Sequence, residues 1–205
     1  MLGLGYVLLF SPVLGVRSIQ VVGNRSVPAD AVVAAANVPT GSPMLRVDID
    51  GVASRVAGLP QLASARVVRS WPSTLLVEVT ERTPLAYAKA SDGAHLIDAT
   101  GHDFQTTRTP PNGLPQLLVS RVAPDDASTK AALQVLGALP AQLRKITRSV
   151  SAQTPGDVRL ALTGNRTVQW GGTDSSSRKA EVLAALLSRP GTVYDVSSPD
   201  LATVH

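Results

Sequence analysis

The sequence predicts an α+β protein with two domains. We expect a three-stranded sheet with two helices over residues 16–82, then a mostly antiparallel β domain with two helices over residues 83–205. Three observations carry this prediction. Two alternating apolar segments meet at a Trp-Pro turn, two apolar stripes at helical spacing precede them, and frequent Gly and Pro residues divide the second half into short strands.

The hairpin predicted within residues 62–86 is the strongest of these signals. In its second segment Leu75, Val77 and Val79 share one face, as expected for a half-buried strand. Proline cannot donate to a strand ladder and its φ suits a turn, so the turn is placed at Trp71-Pro72. This segment is typical of a structural scaffold rather than of a catalytic site.

A strand and two helices are predicted before the hairpin. Val16–Val22 alternates and is predicted to be the first strand. Ser26 is a suitable N-cap for a first helix with Pro28 in its first turn, and Asp48 is suitable for a second helix that ends before Pro60. A sheet with both helices on one face buries every apolar stripe in this strand-helix-helix-strand-strand order.

The second half, after a predicted domain joint at Thr83-Pro84, alternates short strands with turn residues. One helix is predicted from Asp125-Asp126 to Pro140, and another from Ser175 onward. Leu201–His205 is predicted to extend the sheet. The strands are predicted at Leu85–Lys89, Ala94–Asp98, His102–Phe104, Ile146–Ala152, Val158–Leu162, Thr167–Trp170 and Thr192–Val196.

The first sixteen residues contain no charged side chain. A helix of that length spans roughly 24 Å, less than the roughly 30 Å hydrocarbon core of a bilayer. Three interpretations stay open: the outer part of a membrane anchor that begins upstream, a short buried segment, or an interfacial helix. We favour the partial anchor over residues 1–15, with Ser11-Pro12 ending the helix and Arg17 on the water side.

Composition narrows the functional class. The net charge is +4, but the arginines are scattered and lack interleaved aromatic residues, so we expect no nucleic-acid binding. Attraction to an anionic membrane surface or wall polymer is a weaker alternative. The absence of cysteine excludes disulfides, thiolate metal sites and a cysteine nucleophile.

No constellation of reactive residues stands out, so we predict no catalytic residue, no cofactor and no metal. His95, Asp98, His102 and Asp103 are predicted to be exposed polar residues around a turn rather than metal ligands. Glu78 and Glu81 fall on opposite faces of one strand, a poor arrangement for acid and base catalysis. The two tryptophans are predicted to pack beside turns, with a role as interface anchors as the alternative.

The order of these elements and the amino-acid sequence of several segments resemble those of a known family. The segments FSPVLGVRSIQVVGNRSVPADAV and GSPMLRVDID, then the Trp-Pro hairpin ending in VEVTERTPLA, resemble the bacterial division proteins of the FtsQ/DivIB family, in the style of high-GC Gram-positive members. The first domain resembles a POTRA (polypeptide-transport-associated) domain. The later GHDF, LPQL and VQWG segments are similar to that family's second domain, so the resemblance covers nearly the whole chain.

This resemblance implies a non-enzymatic scaffold of the divisome. It implies a single-pass protein of the cell membrane, with its bulk extracytoplasmic and enriched at the division septum. The implied partners are small FtsB/FtsL-type division proteins, with the septal wall synthase complex as a further partner. The resemblance also implies that the POTRA domain serves recruitment to the division site. It implies that the last strand and the preceding helix bind the partner.

The residues assigned to partner binding on this basis lie near the carboxy terminus. A terminal edge strand has unpaired N–H and C=O groups that accept an incoming strand. Arg178, Lys179 or Arg189 are candidates to pair with acidic partner residues, and whether Tyr194 faces the partner or the core stays open. The predicted site comprises Arg178, Glu181, Thr192, Val193, Tyr194, Asp195, Val196 and Leu201.

Two rival functions are weighed against the scaffold. An outer-membrane assembly or secretion component also uses POTRA modules, but it predicts repeated modules or a barrel of amphipathic strands. A cell-wall enzyme or wall-binding module predicts a compact acid/base or metal cluster. The sequence has neither pattern, which favours the division scaffold.

Overall fold

The computed structural model describes residues 15–205, which form two compact units: the first ends at Arg82 and the second begins at Thr83. The predicted anchor, residues 1–15, lies outside the described residues except for Gly15. Within residues 15–205, no helix has both the length and the apolar character needed to cross a membrane.

The first unit is a three-stranded sheet with two α-helices. Its sheet has the order β1-β3-β2, with β1 parallel and β2 antiparallel to β3. The predicted order of elements and the α+β class are confirmed. The elements are β1 (Ser18–Val22), α1 (Ala29–Ala36), a 3-10 helix (Met44–Arg46), α2 (Ile49–Ala57), β2 (Leu62–Ser70) and β3 (Thr74–Glu81).

The β2–β3 hairpin buries one face of its alternating sequence. Leu75 and Val77 are completely buried, as the alternation predicts. The turn lies at the predicted Trp71-Pro72, whose peptide bond is cis. Trp71 does not pack in the core: its exposed fraction is 52%, because it lies just beyond Ser70, the last residue that pairs with β3.

The two helices of the first unit begin in different ways. Helix α2 begins at Asp48 as predicted, and the Asp48 side chain accepts a hydrogen bond of 3.0 Å from the Gly51 N–H. Helix α1 has Pro28 at its N-cap and no side-chain cap. The prediction of Ser26 as the cap is wrong, because the Ser26 hydroxyl donates to Glu81 of β3 instead.

The second unit has one nine-stranded sheet and three α-helices among its described residues. Its strands are β4 (Pro84–Ala90), β5 (Gly93–Asp98), β6 (Asp103–Thr107), β7 (Gln116–Val119), β8 (Thr147–Ala152), β9 (Val158–Leu162), β10 (Arg166–Gly171), β11 (Val193–Asp195) and β12 (Thr203–Val204). Its helices are α3 (Ala127–Ala138), α4 (Ala141–Ile146) and α5 (Ser176–Leu186).

The sheet order of the second unit is β12-β11-β10-β9-β8-β7-β4-β5-β6. Five of its eight strand pairs are antiparallel, and three are parallel. The mostly antiparallel character is as predicted. The order places β12 and β6 at the two edges of the sheet.

The core of the second unit lies between its sheet and its helices. Leu133 and Leu136 of α3 and Leu183 of α5 are buried in it. Trp170 of β10 packs with them, as predicted for a packing residue, and is fully buried. Helix α4 was not predicted. Pro140 was expected only to end α3, but it is also the N-cap of α4, a position that its fixed φ suits.

Candidate partner-binding site

The carboxy-terminal rim of the second sheet is formed by β10, β11 and β12. Strand β11 pairs in parallel with β10 on one side, where Val168 lies opposite Tyr194. On its other side it pairs antiparallel with β12, where Tyr194 lies opposite Val204 and Asp195 opposite Thr203. The strand predicted at Thr192–Val196 is therefore not the edge of the sheet, because the chain's own last residues cover it.

The free edge belongs instead to β12. The His205 N–H donates to the Val193 carbonyl, and the Val193 N–H donates to the His205 carbonyl, both at 2.9 Å. In an antiparallel pair, residues that exchange two hydrogen bonds alternate with residues whose N–H and C=O point away. Val204 lies between two such positions, so its N–H and C=O point away from β11, toward the open edge.

Tyr194 and Val196, two predicted contact residues, have their side chains in the core. Tyr194 is 1% exposed, and its hydroxyl lies 2.9 Å from the Arg189 carbonyl and 3.1 Å from the Gly191 carbonyl. Val196 is completely buried. Of the two orientations left open for Tyr194, the structure has the inward one, so this ring packs in the core and is not available to a partner.

The exposed members of the predicted site lie on α5 and around β11 and β12. Arg178 of α5 pairs with the carboxylate of Asp200, just before Leu201. Leu201 is 80% exposed and ends a 3-10 helix (Pro199–Leu201) instead of continuing a strand. Glu181 and Thr192 are exposed as well, so the predicted site has exposed polar residues, with charges of both signs, and one prominent apolar side chain.

Strand β11 contributes two half-buried residues to the predicted site, Val193 and Asp195. The Asp195 carboxylate accepts hydrogen bonds from the Ser197 N–H at 2.9 Å and from the Ser197 hydroxyl at 2.7 Å. This carboxylate is therefore occupied in holding the turn that leads from β11 to the 3-10 helix.

Lys179, named above as a candidate cation for an acidic partner, is not available for that role. Its side chain is fully buried, and Nζ donates to the Gly172 carbonyl at 3.0 Å and lies 3.5 Å from the Asp174 carboxylate. These contacts tie α5 to the loop that follows β10. Nothing in the local sequence distinguishes Lys179 from its exposed neighbour Arg178, since both lie in the first two turns of the same helix.

His95 and His102 of the second unit form hydrogen bonds with carboxylates and a hydroxyl. The His95 ring lies between the carboxylates of Asp92, at 2.9 Å, and Asp103. These hydrogen bonds, the one to Asp92 first, raise the pKa of His95. His102 Nδ1 lies 2.8 Å from the Thr100 hydroxyl. Across residues 15–205 no group of three His, Asp or Glu side chains is arranged to hold a metal ion.

Glu78 and Glu81 have separate structural partners. The Glu78 carboxylate lies 3.3 Å from Arg66 on the neighbouring strand. Glu81 accepts hydrogen bonds from the Ser26 hydroxyl and from the N–H groups of Arg25, at 2.6 Å, and Val27, at 2.8 Å. Together these bonds lower the pKa of Glu81 to about 2. Glu81 thus holds the loop before α1.

Comparison with known families decides what kind of chain this is. The model of the POTRA domain, FtsQ-type, matches residues 14–82, and the model of the cell division protein FtsQ/DivIB C-terminal domain matches residues 86–202. The chain belongs to the FtsQ/DivIB family. The resemblance drawn from the sequence is confirmed, and β12, at residues 203–204, lies just beyond the second match.

Curated relatives of this FtsQ/DivIB chain are named cell division protein FtsQ. The one from Mycobacteroides abscessus is 45% identical over 98% of this chain and 65% of its own length. The relative from Mycobacterium tuberculosis is 44% identical over 99% of this chain and 64% of its own length. The relative from Corynebacterium glutamicum is 32% identical over 98% of this chain and 91% of its own length. The chain thus spans just under two thirds of the length of the mycobacterial relatives.

A solved structure adds a more distant FtsQ/DivIB comparison. The major extracytoplasmic domain of DivIB from Geobacillus stearothermophilus is 18% identical, covers 54% of this chain and 98% of its own, and has a TM-score of 0.40. That score is too low for a comparison of the two folds. The family model that matches residues 86–202 is that of a cell division protein, not of an outer-membrane assembly component.

Proposed function

We propose that this chain is a non-catalytic scaffold of the division machinery that binds a small FtsB/FtsL-type division protein by strand addition at β12. One observation carries the proposal: the main chain of Val204 faces outward at the end of the sheet. Unpaired N–H and C=O groups at a sheet edge form a template for an incoming strand. Membership of a cell-division family supports this role.

The side chains around this edge supply selectivity. Strand β12 has only two residues, so its main-chain hydrogen bonds alone give little affinity. Leu201, 80% exposed, is suited to fill an apolar pocket of the partner. Arg178, which pairs with Asp200 just before Leu201, and the exposed Glu181 and Thr192 add polar contacts. In this arrangement Val193 and Asp195 are part of β11, the strand that pairs with β12. Tyr194 and Val196 hold this part of the chain by packing in the core.

The same proposal covers location and domain roles. Residues 1–15 anchor the chain in the cell membrane as part of a single span, and both folded units lie outside the cytoplasm, at the division septum. The POTRA unit, residues 16–82, serves recruitment, and the β domain, residues 83–205, holds the partner. The septal wall synthase complex joins through that partner. Membership of the FtsQ/DivIB family supports this arrangement.

Val204→Pro tests the edge directly. Proline removes the outward N–H of Val204 but leaves the His205–Val193 hydrogen bonds of the sheet in place. We expect a loss of affinity of about tenfold for an FtsB/FtsL-type partner, measured by co-purification and by titration of the purified proteins. Because the lost N–H has no partner within the sheet, any fall in the melting temperature should come only from the packing of the Val204 side chain against the core.

A pair of leucine variants tests the apolar contact. Leu201→Ser should weaken the same complex, whereas Leu118→Ser, at an exposed leucine of β7 in the same unit, should not. If Val204→Pro and Leu201→Ser both bind the partner with wild-type affinity, strand addition at β12 is refuted.

A further inference from the structure

Two large apolar side chains of the first unit are exposed close to each other. Trp71, in the hairpin turn, is 52% exposed, and Leu45, in the 3-10 helix, is 46% exposed. They line one open groove, together with Ile49 of α2. Neighbouring exposed apolar groups of this size, including a tryptophan, are typical of an interaction surface.

This pair lies where the chain enters the first unit. The Val16 N–H donates to the Ser42 carbonyl at 2.9 Å, and the Gly41 N–H donates to the Val16 carbonyl at 2.8 Å. On the other side, the Arg17 N–H donates to the Ser73 carbonyl at 2.8 Å. The entry point is therefore held between the loop that leads to Leu45 and the turn that contains Trp71.

Arg69 fixes these two segments to each other. It lies at the end of β2, two residues before Trp71, and its guanidinium donates to the Met44 carbonyl at 2.8 Å and to the Val47 carbonyl at 2.6 Å. Met44 is the first residue of the 3-10 helix that contains Leu45, and Val47 follows its last residue. The two exposed side chains are thus presented together, on a rigid end of the unit.

The chain that precedes this end is apolar. Residues 1–14 contain no Asp, Glu, Lys or Arg. If a membrane span ends at Ser11-Pro12, as the sequence predicts, about four residues separate it from Val16, and they reach at most roughly 14 Å when fully extended. The end of the unit that presents Leu45 and Trp71 is then held at the bilayer surface.

We propose that Trp71 and Leu45 form a membrane-contact surface that inserts into the headgroup region of the bilayer and orients the first unit on it. The inference rests on the membrane anchor of the proposed function. Tryptophan favours this region because its ring is amphipathic. Arg66, Arg69 and Asp50 line the same groove, so charges of both signs surround the pair, and we assign the contact to the apolar groups rather than to net charge.

Tryptophan fluorescence of the full chain in lipid vesicles tests this surface. The chain has two tryptophans, and Trp170 is fully buried, so Trp71 is the one that lipid can reach. In phosphatidylcholine vesicles with brominated acyl chains, we expect quenching of Trp71 that disappears in Trp71→Phe. Leu45→Ser should reduce the quenching at least twofold, and Leu118→Ser, an exposed leucine of the second unit, should leave it unchanged. Added phosphatidylglycerol should make little difference.

The outcomes separate this surface from the rest of the proposed function. If the chain co-sediments with the vesicles and Trp71 is quenched no more than Trp170, the membrane-contact surface is overturned and the anchor stands. If the chain does not co-sediment, both the anchor and the surface are overturned. The partner site on β12 is read separately, by co-purification of the Val204→Pro variant.

Discussion

Glu81 shows how one side chain can hold a segment that is distant in the sequence. Its carboxylate accepts hydrogen bonds from the hydroxyl of Ser26 and from the N–H groups of Arg25, Ser26 and Val27. Hydrogen bonds from the Ser26 hydroxyl, first, and then from the backbone N–H groups favour the charged form of this carboxyl group, which is why its pKa falls from 4.5 to about 2. The loop between β1 and α1 therefore depends on a residue of β3, more than fifty positions further along the chain.

Glu81→Gln should lower the free energy of unfolding by about 1 to 2 kcal/mol at pH 7, because the amide has one acceptor oxygen and no charge. The folded pKa of Glu81 lies below its unfolded value, so its stabilisation is present above about pH 4.5 and is lost as pH falls through about 2. The difference between wild type and variant should shrink over that range, in urea unfolding followed by circular dichroism.

Glu78→Gln is the matched control for this measurement. The Glu78 carboxylate pairs with exposed Arg66, and such surface pairs contribute less than about 1 kcal/mol. A Glu81→Gln variant that is as stable as Glu78→Gln at pH 7 would contradict the role assigned to the Glu81 hydrogen bonds.

Residue-scale predictions fail in this chain where burial is decided by distant segments. Lys179 and Arg178 are adjacent cations, yet one is buried against the Gly172 carbonyl and the other pairs with Asp200 at the surface. Tyr194 belongs to the core cluster that also contains Trp170 of β10 and Leu183 of α5. Gly172 lies 7 positions before Lys179, outside its helix, and Asp200 lies 22 positions after Arg178, so the pattern within the helix carries no information about either partner.

At the scale of elements, β12 depends on a close approach to Gly191. A Cβ atom at Gly191 would lie 2.3 Å from Val204 Cγ1 and 3.1 Å from the His205 carbonyl oxygen. A two-residue strand has few hydrogen bonds to resist displacement. The glycine therefore allows the last strand to lie against β11.

Gly191→Ala should loosen β12 without unfolding the sheet. The N–H groups of Thr192 and Val193 donate to the His205 carbonyl, so we expect their hydrogen exchange to accelerate about tenfold or more, and partner affinity to fall with it. Amide exchange by NMR measures the first effect. Gly156→Ala is the control, because a Cβ there meets nothing within 4 Å. Equal exchange rates in wild type and Gly191→Ala would refute this account of β12.

At the scale of the whole molecule, each unit has its own hydrophobic core. Val32 and Val56 belong to the core of the first unit, and Leu136, Leu160 and Leu183 to that of the second. No residue is shared between the two clusters of described residues. Each unit is therefore expected to keep its fold when the other is perturbed.

Deletion of residues 191–205 should abolish partner co-purification and leave the first unit folded. The deletion removes β11 and β12, including Tyr194 and Val196 from the second core, and touches no residue of the first. Two-dimensional amide NMR spectra should show unchanged signals for β1 to β3. Loss of those signals would contradict the independence of the two cores, and retained partner binding would place the partner site elsewhere.

The sequence by itself determined the elements whose signals are local. Alternation at Leu75 and Val77, the cap at Asp48 and the Trp-Pro turn are set by neighbouring residues, so the first sheet and its helices could be predicted. The same holds for most strands of the second sheet. The family resemblance rested on these same segments and was confirmed.

Only the tertiary structure decided which strand of the second sheet is its edge. The sequence predicts that Leu201–His205 extends the sheet, and Thr203–Val204 does so, but this strand is too short to show a period. Its pairing with β11 depends on a turn at Pro199–Leu201 that brings the chain back. The free hydrogen-bonding groups are therefore those of Val204, and not those predicted at Thr192–Val196. Strand pairing joins residues that are remote in sequence, and for that reason the exposed edge could not be read from the residues that form it.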